Sequence, residues 1–599
     1  MAQLRTEVLV VGGGTGGISA ALQASRRGAN TLIVSEFPWL GGMLTTAGVS
    51  AVDGNELAAF QTGIWGAFLQ ELQQRQPHGL DHGWVSFFTF NPRIGAEIFA
   101  DWVRQQPNLN WIPGFIPLEA IVEHHQLVGV RFANFTVFAE IIVDATELGD
   151  LLPLAAVSYR WGWELKSQWQ EPSAPVNTYY PSKLSPVQAP TWVILLKDYG
   201  KTATAPEIPP PPNYQPQLFT GAWDSHGVER FLSYGGLGGH LMMINWPCQG
   251  NDYGENLQRL ISSETSRQAL QQEMIWHSQS FAYFIQTQLG HQYGLATGIF
   301  PSVHSQSLQF SPNTQTAFAL HPYYRESRRL QGITTITELD ILPMANAKVA
   351  ALPCNENGEC DAIAIGNYMN DHHYTQDKFP VQSKSIRWGG RWTGTPFTIP
   401  YRALIPLEID GLLVAEKNIS VSHIANGATR LQPVVLGIGQ AAGMAAALCI
   451  EFNCQPRDLP VSQLQTALLT DKIAPAAVIP LFNLSPSHPD WLKWQQYYVK
   501  HPEAYPYDGN GPVESFSIKA QLNSIHFAGI FRRHDIQNYS IEFKDKVWKI
   551  VTLQAEVNQF LENCNSEIVI QGKGRLNYAG DWLIVESIEI GKFEAQRHK

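Results

Sequence analysis

Cysteine is scarce in this sequence: the chain of 599 residues contains 6. No two of them form a C-x-x-C pair, which argues against a zinc ribbon, a common iron–sulfur cluster motif and a thioredoxin-type redox pair. So few cysteines also exclude a disulfide scaffold. We therefore expect a protein of the reducing cytoplasm.

Charged residues are also few, at 16%, and acidic ones outnumber basic ones by 52 to 41, which gives a formal net charge of −11. An acidic chain is a poor binder of phosphate backbones, so we expect no nucleic-acid partner.

Glycines at 12–14 interrupt the apolar run near the N-terminus, so we expect no secretory signal. The longest other apolar stretch, 433–450, contains several glycines and a glutamine, which favours an internal helix over a membrane span.

Hydrophobic residues make up 44% of the chain, a core-forming composition that excludes general disorder. The length predicts two or three domains.

Residues 5–36 are typical of a strand, a glycine-rich turn, a helix and a second strand. Gly12, Gly14 and Gly17 match the pattern G-x-G-x-x-G, in which the glycines allow a tight turn, close backbone approach to a pyrophosphate, and close packing of helix on strand. Glu36 ends the second strand, where a carboxylate can accept hydrogen bonds from ribose hydroxyls. The combination predicts an adenine-dinucleotide cofactor. A purely structural turn is the alternative.

Later segments favour FAD over NAD. Gly41 and Gly42 follow the acid directly and suit backbone that passes close to an extended cofactor. The segment 144–146, Asp-Ala-Thr, ends a β run, and 411–416 precedes a second glycine-rich helix start at 437–443. The N-terminus of such a helix can stabilise the negative charge of a reduced flavin. Each segment alone is ordinary strand and turn material.

With these motifs the chain resembles the FAD-dependent oxidoreductases that have a glutathione-reductase-type FAD-binding domain, a group of unspecified substrate that is distantly similar to fumarate reductases. The resemblance spans about residues 6–450 and rests further on the segments 325–329, 399–404 and 422–433. It implies the fold and the cofactor FAD, but no substrate. No histidine lies close to Gly41 and Gly42, so we expect FAD to be bound non-covalently.

The cofactor contacts are assigned from the motifs and the resemblance together. They are Gly12, Gly13, Gly14, Thr15, Gly16, Glu36, Gly41, Gly42, Met43, Ala145, Thr146, Ala415, Glu416, Gly439, Gln440 and Ala441. Two residues depart from the family pattern, because Glu147 and Glu416 stand where glycine or another small residue is usual. Their carboxylates either tune the flavin or point into solvent.

The predicted fold class is α/β. Residues 1–160 and 396–455 form a discontinuous, Rossmann-like FAD-binding domain, and residues 161–395 form an inserted α+β substrate or cap domain. Residues 456–512 are a linker or wrapping segment, and 513–599 are a small, mainly-β C-terminal domain.

The predicted activity is transfer of a hydride from a small organic substrate to flavin, with an unspecified electron acceptor. Such a step needs a group that handles the accompanying proton. His423 is the leading candidate, because the resemblance places its loop against the flavin; a structural histidine that holds the loop is the alternative. Arg402 and Arg430 are candidates for binding a substrate carboxylate or the charge of the flavin, with ion pairing inside the fold as the alternative.

No metal is expected. His78 and His82 have helical spacing, but Pro77 and Gly79 argue against a helix there, and no third ligand lies nearby.

Two other functions stay open. One is an RNA-modifying flavoprotein of the same fold, which the acidic charge disfavours. The other is an electron-transfer or assembly subunit that docks a protein partner or a second copy through the C-terminal domain.

Overall fold

The computed structural model describes residues 2–179, 185–302, 308–375, 379–513 and 524–591. A mainly parallel sheet organises the N-terminal part of the chain. Its strands are β1 (Ala2–Val11), β2 (Thr31–Ser35), β3 (Leu109–Pro113), β4 (Glu119–Glu123), β5 (Gln126–Arg131), β6 (Phe135–Asp144) and β17 (Leu412–Val414). The order is β3-β2-β1-β6-β5-β4, with β17 paired in parallel to the end of β6. Strands β4, β5 and β6 form an antiparallel meander.

The central strands are continuous apolar runs, as expected of parallel strands that are buried in the core of an α/β fold. All five residues of β2 are buried, as are the last four of β1. Helices α1 (Thr15–Arg27), α2 (Gly63–Arg75) and α3 (Pro92–Arg104) belong to this part of the chain. The mixed α/β architecture with a Rossmann-like parallel sheet confirms the predicted fold class at that level.

The long apolar helix in the C-terminal direction from β17 begins at Gln432 and ends at Phe452. The predicted helix start at 437–443 is therefore wrong: the helix begins several residues earlier, with Pro433 in its first turn, where the missing N–H costs nothing. This helix is long and apolar enough to cross a membrane by length and composition, but 89% of its most apolar window is buried inside the protein. It packs so closely on α1 that a Cβ atom added at Gly443 would lie 2.1 Å from the carbonyl oxygen of Ala20.

The other helices of the described residues are short, except for one of 26 residues that begins at Glu264. In chain order they are α4 (Leu151–Leu154), α5 (Lys166–Trp169), α6 (Val228–Leu232), α7 (Arg259–Ser262), the long α8 (Glu264–Leu289), α9 (His423–Thr429), α10 (Gln432–Phe452, above), α11 (Val461–Leu469), α12 (Trp491–Lys500) and α13 (Ala555–Asn563).

The segment between β6 and β17 builds a second hydrophobic core, which includes Trp192, Trp246 and Phe281. An antiparallel sheet in the order β11-β8-β10-β9 lies in it. Its strands are β8 (Ile194–Asp198), β9 (Gly236–Gly238), β10 (Leu241–Ile244) and β11 (Tyr293–Leu295). Short ladders pair β7 (Tyr159–Arg160) with β12 (Arg329–Leu330), β13 (Ala362–Asn367) with β16 (Pro396–Pro400), and β14 (Ser385–Trp388) with β15 (Arg391–Gly394).

The C-terminal strands close into a barrel in the order β18-β19-β20-β22-β21. They are β18 (Ile525–Asp535), β19 (Asn538–Phe543), β20 (Lys546–Thr552), β21 (Ile568–Asn577) and β22 (Trp582–Ile590). The barrel has its own core but is docked tightly, because Asn577 Nδ2 donates to the carbonyl oxygens of Asp81 and Gly83, both at 3.0 Å. The segment before it is packed as well, since Val478, Ile479 and Phe482 belong to the core of the main sheet.

Candidate functional site

The topology brings together the ends of four parallel strands that are far apart in sequence. Strands β1, β2, β6 and β17 all end at the same edge of the sheet, which is where ligands bind in open α/β folds. The loops that follow these strands contain Gly12, Glu36, Ala145 and Glu416. Parallel pairing, rather than sequence proximity, makes them neighbours.

The glycine-rich loop is shaped by close backbone contacts. Gly12 has φ of +109°, and a Cβ atom there would lie 2.1 Å from the carbonyl oxygen of Ala145. A Cβ atom at Gly16 would lie 1.5 Å from the carbonyl oxygen of Ala415. Thr15 fastens the next loop, because its hydroxyl donates to the Gly41 carbonyl oxygen at 2.9 Å. Glycine is therefore required here by neighbouring strands as well as by any ligand.

A cavity of about 370 Å³ opens beside this loop. Among the predicted contacts, its lining contains Gly12, Gly13, Gly14, Glu36, Ala145 and Thr146. The others lie behind it: Thr15, Gly16, Gly41, Gly42, Met43, Ala415 and Glu416 are buried around the loop. A volume of this order, with a lining that combines apolar residues and a few polar side chains, suits an organic ligand.

Glu36 faces the cavity and is exposed to it. Desolvation by the surrounding protein, followed by the negative charge of Asp150, raises the pKa of Glu36 to about 7. Its carboxyl group is available to hydrogen-bond a ribose.

The two carboxylates that depart from the family pattern do not point into solvent. Lys417 Nζ lies 2.7 Å from Glu147 Oε2 and 3.1 Å from Glu416 Oε2. The other carboxylate oxygen of Glu416 accepts a hydrogen bond from the backbone N–H of Gly16 at 2.6 Å, at the start of α1. Lys417 therefore binds both Glu147 and Glu416 and compensates their negative charge beside the glycine-rich loop.

Gly439, Gln440 and Ala441 are not brought to the cavity. They lie in the interior of α10, and a Cβ atom at Gly439 would lie 2.1 Å from the Gly16 carbonyl oxygen. The side chain of Gln440 is used within the fold, since its Oε1 accepts from the backbone N–H of Ile64 and its Nε2 donates to the carbonyl oxygen of Ala474. The N–H groups that have no partner within this helix belong to its N-terminal end, before Val435, whose N–H donates to the carbonyl oxygen of Leu431 at 2.9 Å.

His423 lies at the start of α9, fully buried in a chain of hydrogen bonds. Its Nδ1 lies 2.8 Å from Glu326 Oε1, and its Nε2 lies 2.5 Å from the hydroxyl of Tyr374. A carboxylate can only accept, so Nδ1 carries the proton and Nε2 accepts the proton of Tyr374. The arrangement has the order carboxylate, imidazole, hydroxyl, which is the order of a catalytic triad.

Arg430 is buried close to this chain, in a second polar cluster. Its guanidinium contacts the hydroxyl of Tyr323 and lies 3.2 Å from Asp371 Oδ2. Burial opposes ionisation of Asp371, but His373 at 2.8 Å and Arg430 hold the pKa of Asp371 well below its usual value. Arg430 Nε is buried and has no hydrogen-bond partner within the described ranges, so a donor remains for another group.

Arg402, unlike Arg430, lies outside this polar cluster and pairs with Asp361. Its Nη1 lies 2.8 Å from Asp361 Oδ1, and it does not line the cavity. This geometry fits the alternative of ion pairing inside the fold.

Sequence reasoning missed several polar side chains of the cavity. The lining includes Asp150, Arg267, His321, Tyr324 and Arg328. They are distant from the glycine-rich loop in sequence, and none belongs to a spacing pattern that names a ligand. In the part of the chain that the structure describes, no group of three or more His, Cys, Asp or Glu residues could hold a metal ion.

Comparison with known proteins defines the class. A family model described as FAD dependent oxidoreductase matches residues 7–468, so the chain belongs to the FAD-dependent oxidoreductase family. The predicted family and the predicted cofactor FAD are confirmed. The residues fit that cofactor: Gly12, Gly13 and Gly14 line the cavity without side chains that would block a close approach, and Glu36 offers a carboxyl group.

Individual relatives are more distant. The chain is 44% identical over 57 residues to sarcosine oxidase subunit alpha from Corynebacterium sp. (strain P-1), a match that covers 10% of this chain and 6% of that protein. A geranylgeranyl bacteriochlorophyll reductase-like structure from Thermoplasma acidophilum matches with 10% identity and a TM-score of 0.32, over 78% of this chain and 84% of the other. L-proline dehydrogenase from P. horikoshii matches with 11% identity and a TM-score of 0.23, over 33% of this chain and 62% of the other.

Proposed function

We propose that this protein oxidises a small organic molecule by transfer of a hydride to non-covalently bound FAD. The observation that carries this proposal is the buried chain Glu326–His423–Tyr374. Oxidation of a hydroxyl or amine releases a proton together with the hydride, and a hydroxyl backed by an imidazole and a carboxylate can accept that proton.

The proton path follows from the hydrogen bonds. Tyr374 passes its hydroxyl proton to His423 Nε2 as it takes one from the substrate, and Glu326 stabilises the imidazolium through Nδ1. Bound FAD supplies the two-electron acceptor. Burial of Tyr374 raises the pKa of its hydroxyl well above the usual value, so a free phenolate is disfavoured and the proton must move in concert with His423.

Arg430 is proposed to bind an acidic group of the substrate. Two observations support this role: Arg430 Nε has no hydrogen-bond partner among the described residues, and Tyr323 lies beside it. The side chain of Asp371 is 36% exposed, which indicates access for a small molecule. For Arg402 the same role is our second proposal, and its pairing with Asp361 weakens it.

Non-covalent attachment is proposed because His321, which lines the cavity, has both ring nitrogens engaged. Nε2 lies 2.9 Å from Thr46 Oγ1, and Nδ1 lies 2.8 Å from the carbonyl oxygen of Pro322. Acid precipitation should release all of the yellow colour into the supernatant. Colour retained in the pellet would contradict non-covalent binding.

We further propose that the partner is a small-molecule substrate, and that the protein associates with a second copy or another protein through the C-terminal barrel. Ile536, Val547 and Tyr578 are 78%, 55% and 72% exposed there, which supports contact with a second copy or another protein. Light scattering of the full chain and of a variant with these three residues changed to serine tests this, since identical monomeric masses would remove the proposal.

The decisive experiment for the oxidation is anaerobic. The purified protein is mixed with panels of small hydroxy acids, amino acids and amines, and bleaching of the flavin absorption band at about 450 nm is followed. We expect bleaching with one class of substrate, and slower bleaching in His423→Ala with the yellow colour retained. Equal rates in the two proteins would remove His423 from the reaction.

A further inference from the structure

One wall of the dinucleotide cavity comes from the inserted segment, not from the Rossmann-like part. Side chains from the N-terminal end of α8 line it: Ser263, Glu264, Arg267, Gln268 and Gln271. The glycine-rich loop and Glu36 line it as well. A ligand in the cavity is therefore enclosed by two parts of the chain that are more than a hundred residues apart in sequence.

Arg267 joins these two parts. Its Nη2 lies 2.8 Å from Asp150 Oδ1 and its Nη1 lies 3.2 Å from Asp150 Oδ2, which makes a bidentate ion pair. Its Nε donates to the carbonyl oxygen of Leu260 at 2.8 Å. The guanidinium is thus fixed on the α8 side by backbone and on the other side by the loop that follows β6.

The ion pair is partly shielded from solvent, and a second cation supports it. The side chains of Arg267 and Asp150 are 26% and 27% exposed. Arg328 lies 2.9 Å from the same Asp150 oxygen. Burial works against the charge on Asp150, but Arg267 and Arg328 hold the pKa of Asp150 below its usual value. A hydrogen bond of 2.8 Å from Gln271 Nε2 to the hydroxyl of Tyr324 fastens the next turn of α8.

We propose that α8 is a clasp over the FAD cavity, fastened by the ion pair of Arg267 with Asp150, and that FAD enters and leaves only when this ion pair opens. The proposal rests on FAD as the cofactor and not on the substrate or the proton path. Arg267 and Asp150 are positioning residues, and their effect is on cofactor retention.

The test measures release of FAD from the full-length, FAD-loaded protein. After dilution, released FAD is followed by the rise of its fluorescence. We expect Arg267→Gln to release FAD about tenfold faster or more, because it loses a charge-assisted bidentate contact. The control is Arg259→Gln, because Arg259 of α7 pairs with Glu273 of α8 at 2.9 Å and does not line the cavity. It should release FAD at the wild-type rate.

A measurement on the unchanged protein guards against misfolded variants. Added salt should accelerate release from the wild type between about 0.05 and 1 M, since screening weakens a partly exposed ion pair. Equal release from Arg267→Gln and wild type, equal acceleration by Arg267→Gln and Arg259→Gln, or a wild-type rate that salt leaves unchanged would each overturn the clasp.

Discussion

Lys417 and Glu147 form an ion pair of 2.7 Å that connects the loop after β17 with the loop after β6. Lys417 is fully buried and also binds Glu416 at 3.1 Å. Burial works against its charge, but the two carboxylates keep the pKa of Lys417 above its usual value. The lysine therefore stays charged next to the glycine-rich loop.

Removal of this cation should destabilise the protein. Lys417→Met leaves two carboxylates facing each other without compensation, and we expect the free energy of unfolding to fall by about 3–5 kcal/mol. The control is Lys546→Met, because Lys546 also makes a 2.7 Å ion pair, with Asp581, but both side chains are 44% exposed. The melting temperatures of the wild type, Lys417→Met and Lys546→Met are compared by thermal denaturation. Equal melting temperatures for the two variants would contradict a structural role of the buried pair.

The proposed proton path makes a second prediction at Tyr374. Tyr374→Phe removes the hydroxyl next to His423 and should slow anaerobic flavin reduction about 100-fold, within the range of general acid–base catalysis. FAD content and melting temperature should stay at the wild-type values. Tyr505→Phe is the matched control, since it removes a buried hydroxyl that donates to Pro480. If both variants reduce flavin equally fast, Tyr374 does not carry the proton.

Gly439 distinguishes helix packing from cofactor contact. Gly439→Ala forces a methyl group against the Gly16 carbonyl oxygen, and we expect a loss of about 1–3 kcal/mol in stability with the flavin spectrum of the folded protein unchanged. Gly437→Ala is the control, because the nearest atom to its added Cβ is 3.2 Å away. A Gly439→Ala protein of normal stability that lacks FAD would support direct contact instead.

Stability should depend on pH through Asp144. Burial raises the pKa of Asp144 to about 7, with opposition from hydrogen bonds of Thr146. The pKa of an aspartate in the unfolded chain is about 4. Between about pH 4 and 7 the folded state therefore holds one proton more than the unfolded state. Its contribution to the free energy of unfolding therefore falls as the pH rises through that window.

Asp144→Asn removes this titration. From pH 5 to 8 we expect the melting temperature of the wild type to decline relative to that of the variant, in a scan of both proteins. Parallel curves would show that Asp144 does not titrate in this window. Asp252, whose pKa Arg325 and His373 hold at about 2 despite burial, acts in the opposite sense and only in strong acid.

Local sequence patterns were enough to predict the glycine-rich loop and much of the secondary structure. The glycines of 12–17 and Glu36 lie in one strand–helix–strand unit, so their relation needs no distant contact. The start of α10 was misplaced because the glycines at 437–443 look like a helix start, whereas they are needed for close packing on α1. The partners of His423 were missed because Glu326 and Tyr374 come from separate loops of the inserted segment.

The sequence by itself was enough to predict the family and the cofactor FAD, because the motifs that carry the resemblance lie within short segments of the chain. Tertiary structure decided which charges meet: Lys417 with Glu147, Arg267 with Asp150, and His423 with Glu326. The physical reason is that the two residues of each pair are between 97 and 270 positions apart in sequence, and only folding fixes the few ångströms on which a buried charge depends.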